Sequence, residues 1–119
     1  MPEKIERPAL IEAAGTKPKR IEEFVGPVCT GHRGVSVARM VSPAGWEEPG
    51  QRPEFEEITV VLSGRLRVES KTATIEVGPG EAVIARPGEW VRYSTPIATE
   101  YVSVCVPAFN PDTVHRDPV

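Results

Sequence analysis

The sequence predicts an all-β domain that closes as a jelly-roll β-barrel preceded by an N-terminal arm. Thirteen prolines and ten glycines in 119 residues punctuate short runs rich in β-branched side chains. No helical crossover separates these runs, so the strands should pair mostly antiparallel. Turn signals at regular short intervals are typical of sandwiches and barrels, and a closed jelly roll leaves few unpaired strand edges.

The length of 119 residues leaves no room for a second hydrophobic core. We therefore divide one domain into an arm, residues 1–27, and a barrel, residues 28–119, that ends in an irregular tail. In the arm we expect a helical turn or two over Ala9–Ala14, after Pro8, and an edge-pairing strand over Arg20–Val25. The arm has too little apolar surface to fold alone and should pack on its own barrel or on a partner subunit.

The remaining runs give the order of the barrel strands. A Ser-Gly break at residues 63–64, a tight turn at 78–80 and another at 86–88 separate them. The expected strands are Val35–Val41, Glu57–Ser63, Arg65–Glu69, Thr72–Val77, Glu81–Ala85, Glu89–Ser94 and Glu100–Val106.

Composition excludes several classes of partner and compartment. A net charge of −3 gives no electrostatic reason to bind nucleic acid or an anionic membrane, and no apolar run approaches the ~20 residues of a membrane span. Acidic residues and a proline occupy the N-terminus where a signal peptide would be apolar, so we expect a cytoplasmic protein. Cys29 and Cys105 are expected to be free thiols rather than a disulfide framework.

The stretch Pro53–Gly64 carries three carboxylates and then a strand. Because successive strand residues point to opposite faces, Glu57 should share a face with Thr59 and Val61, whereas Glu56 faces the other way. One of these two carboxylates should therefore point into the barrel.

Two segments resemble the conserved motifs of the cupin superfamily. Gly45 and the spacing Glu57-x₆-Gly64 match the first motif, Gly-x₅-His-x-His-x₃₋₄-Glu-x₆-Gly, and residues 80–91 resemble the second, Gly-x₅-Pro-x-Gly-x₂-His. The resemblance implies a cupin-type jelly-roll barrel, and the chain is similar to small single-domain cupins, which often form homodimers.

The resemblance also places the usual metal ligands of a cupin, and here most are missing. The motif's glutamate is Glu57, but its three histidine positions hold Gln51, Pro53 and Val91. Proline and valine side chains have no donor atom, and one carboxylate with one amide is a poor site for a transition metal. We therefore expect no transition-metal cofactor. An atypical metal site of Glu57, Gln51 and His115, or one using His32, is the alternative.

In the cupin register, several other side chains should line the pocket. Thr59, Val91 and Tyr93 should face the barrel interior with Gln51 and Glu57, and Trp46 should lie near the mouth. Arg39 alternates with Val37 and Val41. It either points inward, which would favour an anionic ligand, or faces solvent.

Three functions remain open. The first is binding of a small polar or anionic metabolite in a pocket centred on Glu57. The second is a metal-independent isomerase, epimerase or lyase, with Glu57 as general base and Tyr93 assisting, since burial raises the pKa of a carboxyl group. The third is a metalloenzyme with the atypical site. Whether the protein is an enzyme is not decided by these residues.

Overall fold

A computed structural model of the chain describes residues 1–118, which form ten β-strands and no helix. Within these residues no helix has the length and apolar character needed to cross a membrane. The strands are β1 (Ala9–Ile11), β2 (Arg20–Val25), β3 (Ser36–Ser42), β4 (Trp46–Glu47), β5 (Glu56–Ser63), β6 (Leu66–Ser70), β7 (Thr74–Val77), β8 (Ala82–Ala85), β9 (Val91–Thr95) and β10 (Thr99–Val106).

The strands form two antiparallel sheets that face each other, which confirms the predicted all-β jelly roll. One sheet has six strands in the order β1-β2-β3-β10-β5-β8, and the other has four in the order β4-β9-β6-β7. The last strand, β10, lies in the middle of the larger sheet and pairs with β3 on one side and β5 on the other. The chain therefore crosses between the two sheets repeatedly, as a jelly roll requires.

The N-terminal arm is part of the larger sheet. Strand β2 covers Arg20–Val25, as predicted, and pairs with β3. The expected helical turn at Ala9–Ala14 is wrong, because Ala9–Ile11 form the edge strand β1 and pair with Ile21–Glu23. A helix this short has too few internal hydrogen bonds to offset its nucleation, whereas the edge of β2 offers ready partners.

Alternation along the strands builds the core between the sheets. On β10 the residues Tyr101 and Cys105 are buried, while their neighbours are more exposed. The same period of two operates on β6 and β8. The core formed in this way contains Trp46, Val61, Leu66, Val68, Val77, Val83, Ala85, Val91, Tyr93 and Tyr101.

The C-terminal tail returns to the barrel and covers one end of it. Backbone hydrogen bonds join the Glu54 amide to the Thr113 carbonyl oxygen, at 3.0 Å, and the Asp117 amide to the Gly50 carbonyl oxygen, at 2.8 Å. Arg116 forms an isolated β-bridge with Gln51. A small second core of Phe55, Cys105 and Val114 anchors the tail. The tail thereby brings its side chains to the end of the barrel where Gln51 lies.

Gly64 shows why the β5–β6 turn needs glycine. Its φ is +86°, in the left-handed region, and an added Cβ would lie 2.3 Å from the Ala98 carbonyl oxygen. Gly80 has a similar φ of +79°, but an added Cβ there would meet no atom within 4 Å. Substitutions at the two glycines can therefore distinguish the cost of a left-handed backbone, present at both positions, from the cost of steric overlap, present only at Gly64.

We predict that Gly80→Ala lowers the free energy of unfolding by about 1–2 kcal/mol, the cost of a left-handed conformation for a residue with a Cβ. Gly64→Ala should cost about 1–3 kcal/mol more, because the methyl group also overlaps the backbone of residues 98 and 99. Urea unfolding of both variants measures the difference. Equal losses of stability would contradict the steric role of Gly64.

Candidate functional site

A cavity of about 80 Å³ lies inside the barrel between the two sheets. Its walls come from five parts of the chain: the arm, strands β3 and β5 with β10, strand β4 with the loop after it, strand β9, and the C-terminal tail. The lining side chains include Lys19, Trp46, Glu48, Gln51, Glu57, Thr59, Tyr93, Tyr101, Ser103 and Arg116. Polar groups converge here from segments that are far apart in sequence.

Glu57 lies in this cavity, at the start of β5. Its cross-strand neighbours are Cys105 on β10 and Ala85 on β8, both buried residues of the inner face. Burial raises the pKa of the Glu57 carboxyl group, against the opposing effects of Lys19 and the nearby hydroxyl groups of Ser103 and Tyr93. The Tyr93 hydroxyl is near enough to act on this carboxyl group but does not have hydrogen-bond geometry to it. No ion pair joins Glu57 to a cation within residues 1–118, because none of the ion pairs there includes it.

Glu48 is a second carboxylate in the cavity, which the sequence analysis did not find. It follows β4, and its backbone amide donates to the Tyr93 carbonyl oxygen at 3.2 Å, so the segment continues alongside β9. Burial raises the pKa of Glu48 to about 7; Glu57 adds to the rise, whereas Lys19 opposes it. In the sequence, Glu48 looks like an ordinary loop acid in Trp-Glu-Glu-Pro, although alternation from Trp46 would have placed it inward.

Two buried polar atoms at the cavity wall have no hydrogen-bond partner in the described part of the chain. They are the side-chain oxygen Oε1 of Gln51 and the hydroxyl of Tyr93, whose residues are only 4% and 5% exposed. An unsatisfied buried polar group costs about 1–3 kcal/mol. Native proteins retain few of them, and those that remain are often found where a ligand or ordered water is held.

The arm contributes a cation to the cavity. The Lys19 ammonium donates to the Tyr101 hydroxyl at 2.9 Å and lies 3.8 Å from the centre of the Trp46 ring. Trp46 is fully buried, and its indole N–H donates to the Ala14 carbonyl oxygen at 3.2 Å. The segment between β1 and β2 therefore forms part of the cavity wall.

The C-terminal tail contributes a second cation. Arg116 lies with its guanidinium 5.6 Å from the centre of the Phe109 ring, and both residues line the cavity. Neither Lys19 nor Arg116 forms an ion pair with Glu48 or Glu57 among the ion pairs of residues 1–118. None of these four groups is thus neutralised by a direct ion pair with another, although both cations oppose the rise in pKa of both carboxylates.

The structure brings together most of the residues that the sequence singled out. Gln51, Glu57, Thr59, Tyr93 and Trp46 all line the cavity. The Thr59 hydroxyl contacts that of Ser103 at 3.4 Å. Trp46 lies on β4.

The other predicted residues lie elsewhere. Val91 is buried in the hydrophobic core beside the cavity. Arg39 is not at the cavity: its guanidinium pairs with Glu22, at 2.7 Å, and with Glu100 on the neighbouring strands. Arg39 lies on the outward face of β3, whereas its buried neighbour Ala38 lies on the inward face.

The two histidines are also outside the cavity. The His115 Nε2 atom pairs with Glu54 at 2.5 Å, and both side chains are exposed. The His32 Nδ1 atom contacts the Thr30 hydroxyl at 2.6 Å. The structure therefore does not assemble Glu57, Gln51 and His115 into one group.

The residues at the cupin metal positions do not fit an imidazole-rich metal site. Val91 and Gln51 are joined by two backbone hydrogen bonds of 2.9 Å, and the Val91 side chain offers no donor atom. Pro53 is buried and equally without a donor. Within residues 1–118 no three His, Cys, Asp or Glu side chains are grouped so that they could hold a metal ion.

Comparison with solved structures identifies the architecture. The polyketide cyclase RemF from Streptomyces resistomycificus superposes with a TM-score of 0.78, covering 100% of this chain and 87% of that one, at 21% identity. The fold is a cupin-type jelly roll. Streptomyces PAC13, in a structure with uridine, matches at a TM-score of 0.74, 15% identity, 97% of this chain and 88% of that one. A predicted oxalate decarboxylase from Thermotoga maritima superposes with a TM-score of 0.72, covering 89% of this chain and 98% of that one, at 14% identity.

Comparison of sequences adds one curated relative. The endoribonuclease YbeY of Myxococcus xanthus is 44% identical over 101 residues, which are 83% of this cupin-fold chain and 34% of that protein. The chain thus spans about a third of the length of this relative. No protein-family model matches the chain.

The unpartnered hydroxyl of Tyr93 leads to a prediction about stability. We expect Tyr93→Phe to raise the free energy of unfolding by about 1 kcal/mol, because it removes a buried hydroxyl that lies near Glu57 without hydrogen-bond geometry to any group of residues 1–118. Tyr101→Phe is the matched control. It should lower stability by about 1–3 kcal/mol, since the Tyr101 hydroxyl contacts both Lys19 and Ser42. Chemical denaturation measures both, and a loss of stability in Tyr93→Phe would contradict the assignment.

The raised pKa of Glu48 leads to a prediction about pH. A carboxyl group with a pKa of about 7 in the folded state ionises first in the unfolded state, so its contribution to stability falls as the pH rises from about 4.5 to 7. Glu48→Gln removes this loss. Its free energy of unfolding, relative to wild type, should therefore increase between pH 5 and pH 8. The exposed Glu3→Gln is the control, and a difference independent of pH would refute the prediction.

Proposed function

We propose that this chain binds a small polar molecule inside its cupin-fold barrel, in the cavity that Glu57 and Glu48 share. The observation that supports this most directly is the pair of unpartnered buried atoms, Gln51 Oε1 and the Tyr93 hydroxyl. A folded barrel with no ligand keeps these atoms at a cost in stability, and a bound molecule can supply the missing hydrogen bonds. An enclosed cleft with apolar walls and a few converging polar groups is the usual form of a small-molecule site.

Proton transfer on the bound molecule is a second candidate function, favoured by the two enclosed carboxylates. Burial raises the pKa of both Glu57 and Glu48. A carboxylate whose pKa lies near the working pH can accept a proton from carbon or oxygen and return it. Glu57 would serve as the base, and the Tyr93 hydroxyl would donate a hydrogen bond to the oxygen on which charge develops. This chemistry corresponds to an isomerase, epimerase or lyase.

Endoribonuclease activity, which the name of the Myxococcus xanthus relative states, is not the function that we propose for this chain. The match covers 34% of that protein, so its name describes a longer molecule. The cavity here holds two carboxylates, which repel phosphate groups, and the net charge of the chain is −3. Both features favour a small molecule over RNA.

Substitutions inside the cavity, compared with one outside it, test the proposed binding function. We expect a ligand found by thermal shift, with uridine as the first probe because of the PAC13 structure, to bind wild type and to bind Glu57→Gln or Tyr93→Phe at least about tenfold more weakly. A ligand at 100 times its Kd should add about 2.7 kcal/mol of stability. If the molecule is a substrate, exchange of its C–H proton in D₂O should stop in Glu57→Gln.

Arg39→Gln is the control for this experiment, because Arg39 pairs with Glu22 and Glu100 away from the cavity. It should leave the Kd unchanged. Equal weakening by Arg39→Gln and Glu57→Gln would place the ligand outside the barrel. Proton exchange that continues in Glu57→Gln would rule out Glu57 as the base while leaving the binding function intact.

We also propose that the chain forms a homodimer through the outer face of the six-stranded sheet. Outward residues on β5, β8 and β10 form neighbouring apolar pairs, with Val60 beside Val102 and Ile58 between Val104 and Ile84. Leu62, Ile84 and Val106 are each exposed on this face. Contiguous exposed apolar side chains are typical of protein interfaces, whereas scattered ones are not.

Leu62→Glu should convert the dimer to a monomer, because it places a charge in the apolar contact. Ile75→Glu is a matched control on strand β7 of the other sheet, since Ile75 is 47% exposed and Leu62 is 49% exposed. Light scattering after size-exclusion chromatography gives the mass of each variant. A monomeric wild type, or a dimer that survives Leu62→Glu, would refute this interface.

A further inference from the structure

The inner wall of the cavity is dominated by hydrogen-bond acceptors. Glu48 and Glu57 together present four carboxylate oxygens, and neither side chain forms an ion pair among the ion pairs of residues 1–118. The other two carboxylates at the cavity are already engaged or solvated. Glu23 accepts hydrogen bonds from the backbone amides of Val28 and Cys29, at 2.9 and 2.8 Å, and Glu12 is exposed.

Gln51 and Tyr93, the two neutral side chains with an unpartnered atom, do not alter the excess of hydrogen-bond acceptors on the inner wall. Gln51 can present either end of its amide, since oxygen and nitrogen are exchanged by a simple rotation. The Tyr93 hydroxyl can donate one hydrogen bond and accept others. The character of the inner wall is therefore decided by the two carboxylates, which sit on β5 and after β4, on opposite sheets of the barrel.

The two cations act on both carboxylates, because each opposes the rise in their pKa, but each cation makes its contacts elsewhere and forms no ion pair with Glu48 or Glu57 among the ion pairs of residues 1–118. Lys19 donates to the Tyr101 hydroxyl and lies against the Trp46 ring, and Arg116 lies against Phe109 on the tail. An anionic group that approached Glu48 and Glu57 would be repelled by their like charge. No ion pair of residues 1–118 includes either carboxylate and so reduces this repulsion. Hydroxyl and N–H groups would instead find carboxylate oxygens that no ion pair of residues 1–118 engages.

We propose that the inner cavity recognises a ligand by its hydrogen-bond donors, that is, by hydroxyl or N–H groups of an uncharged or cationic small molecule, and that it discriminates against carboxylate and phosphate groups. This inference rests on the proposed binding function. The cavity of about 80 Å³ is smaller than the apolar cavity of about 150 Å³ that holds benzene in an engineered protein. A compact donor group therefore fits, and the larger part of a ligand lies outside the cavity.

Five phenyl compounds with different head groups test the proposal: catechol, phenylurea, benzylamine, benzoate and phenyl phosphate. Each is titrated into the full chain at pH 8, with the backbone amide signals of Gln51, Glu57 and Tyr93 followed by NMR. We expect at least one donor compound to bind with a Kd at least tenfold below those of benzoate and phenyl phosphate. A comparison of the Kd values of catechol and phenylurea with that of benzylamine distinguishes a preference for uncharged ligands from a preference for cationic ones.

The double variant Glu48→Gln/Glu57→Gln keeps the shape of the wall and removes its charge. It should reduce the preference for donor compounds over benzoate to less than threefold, whereas the exposed Glu54→Gln should keep the preference. Tightest binding of benzoate or phenyl phosphate at the same three amides would overturn the ligand class and leave the binding function standing. Failure of all five compounds to bind would count against both. A preference unchanged in the double variant would show that other groups select the ligand.

Discussion

The position of β10 between β3 and β5 is the constraint on which the rest of the structure depends. This strand comes last among the ten, yet its backbone completes the hydrogen-bond ladders of both neighbours. Because side chains alternate along a strand, a shift of one residue in its register would turn Tyr101, Ser103 and Cys105 from the interior to the surface. The same register places Cys105 beside Glu57 and Ser103 beside Thr59. One pairing thus determines both the core and the polar wall of the cavity.

The interior that results is not optimised for stability. A barrel of this size would be more stable if apolar side chains filled the space near Glu48, Glu57 and Tyr93, since enclosed carboxylates and an unpartnered hydroxyl disfavour folding. The core residues Leu66, Val68, Val77 and Val83 belong to the same cluster as Trp46, Tyr93 and Tyr101, and their burial offsets this cost. Proteins keep such local conflicts mainly where binding or catalysis needs them.

The two ends of the chain complete the cavity. The segment between β1 and β2 carries Lys19 to Trp46 and Tyr101, and the tail carries Arg116 to Phe109. The barrel strands alone would leave an acidic cavity without either cation. The fold neighbours include a polyketide cyclase and a predicted oxalate decarboxylase, and one architecture can serve such different functions because the chemistry resides in the side chains that line the pocket.

The sequence by itself determined the all-β fold class, nearly all of the strands and the inward direction of Glu57, Thr59 and Tyr93. The turns and strands follow from local rules, because glycine and proline mark turns and alternation separates the two faces of a strand. The choice of the inward face followed from the resemblance to the cupin motifs. The strand at Ala9–Ile11, the cavity position of Glu48 and the outward pairing of Arg39 were decided only by the tertiary structure. The reason is the same for all three. Each depends on a partner remote in sequence, the edge of β2, the neighbouring β9 or the carboxylate of Glu100, and no local pattern specifies that partner.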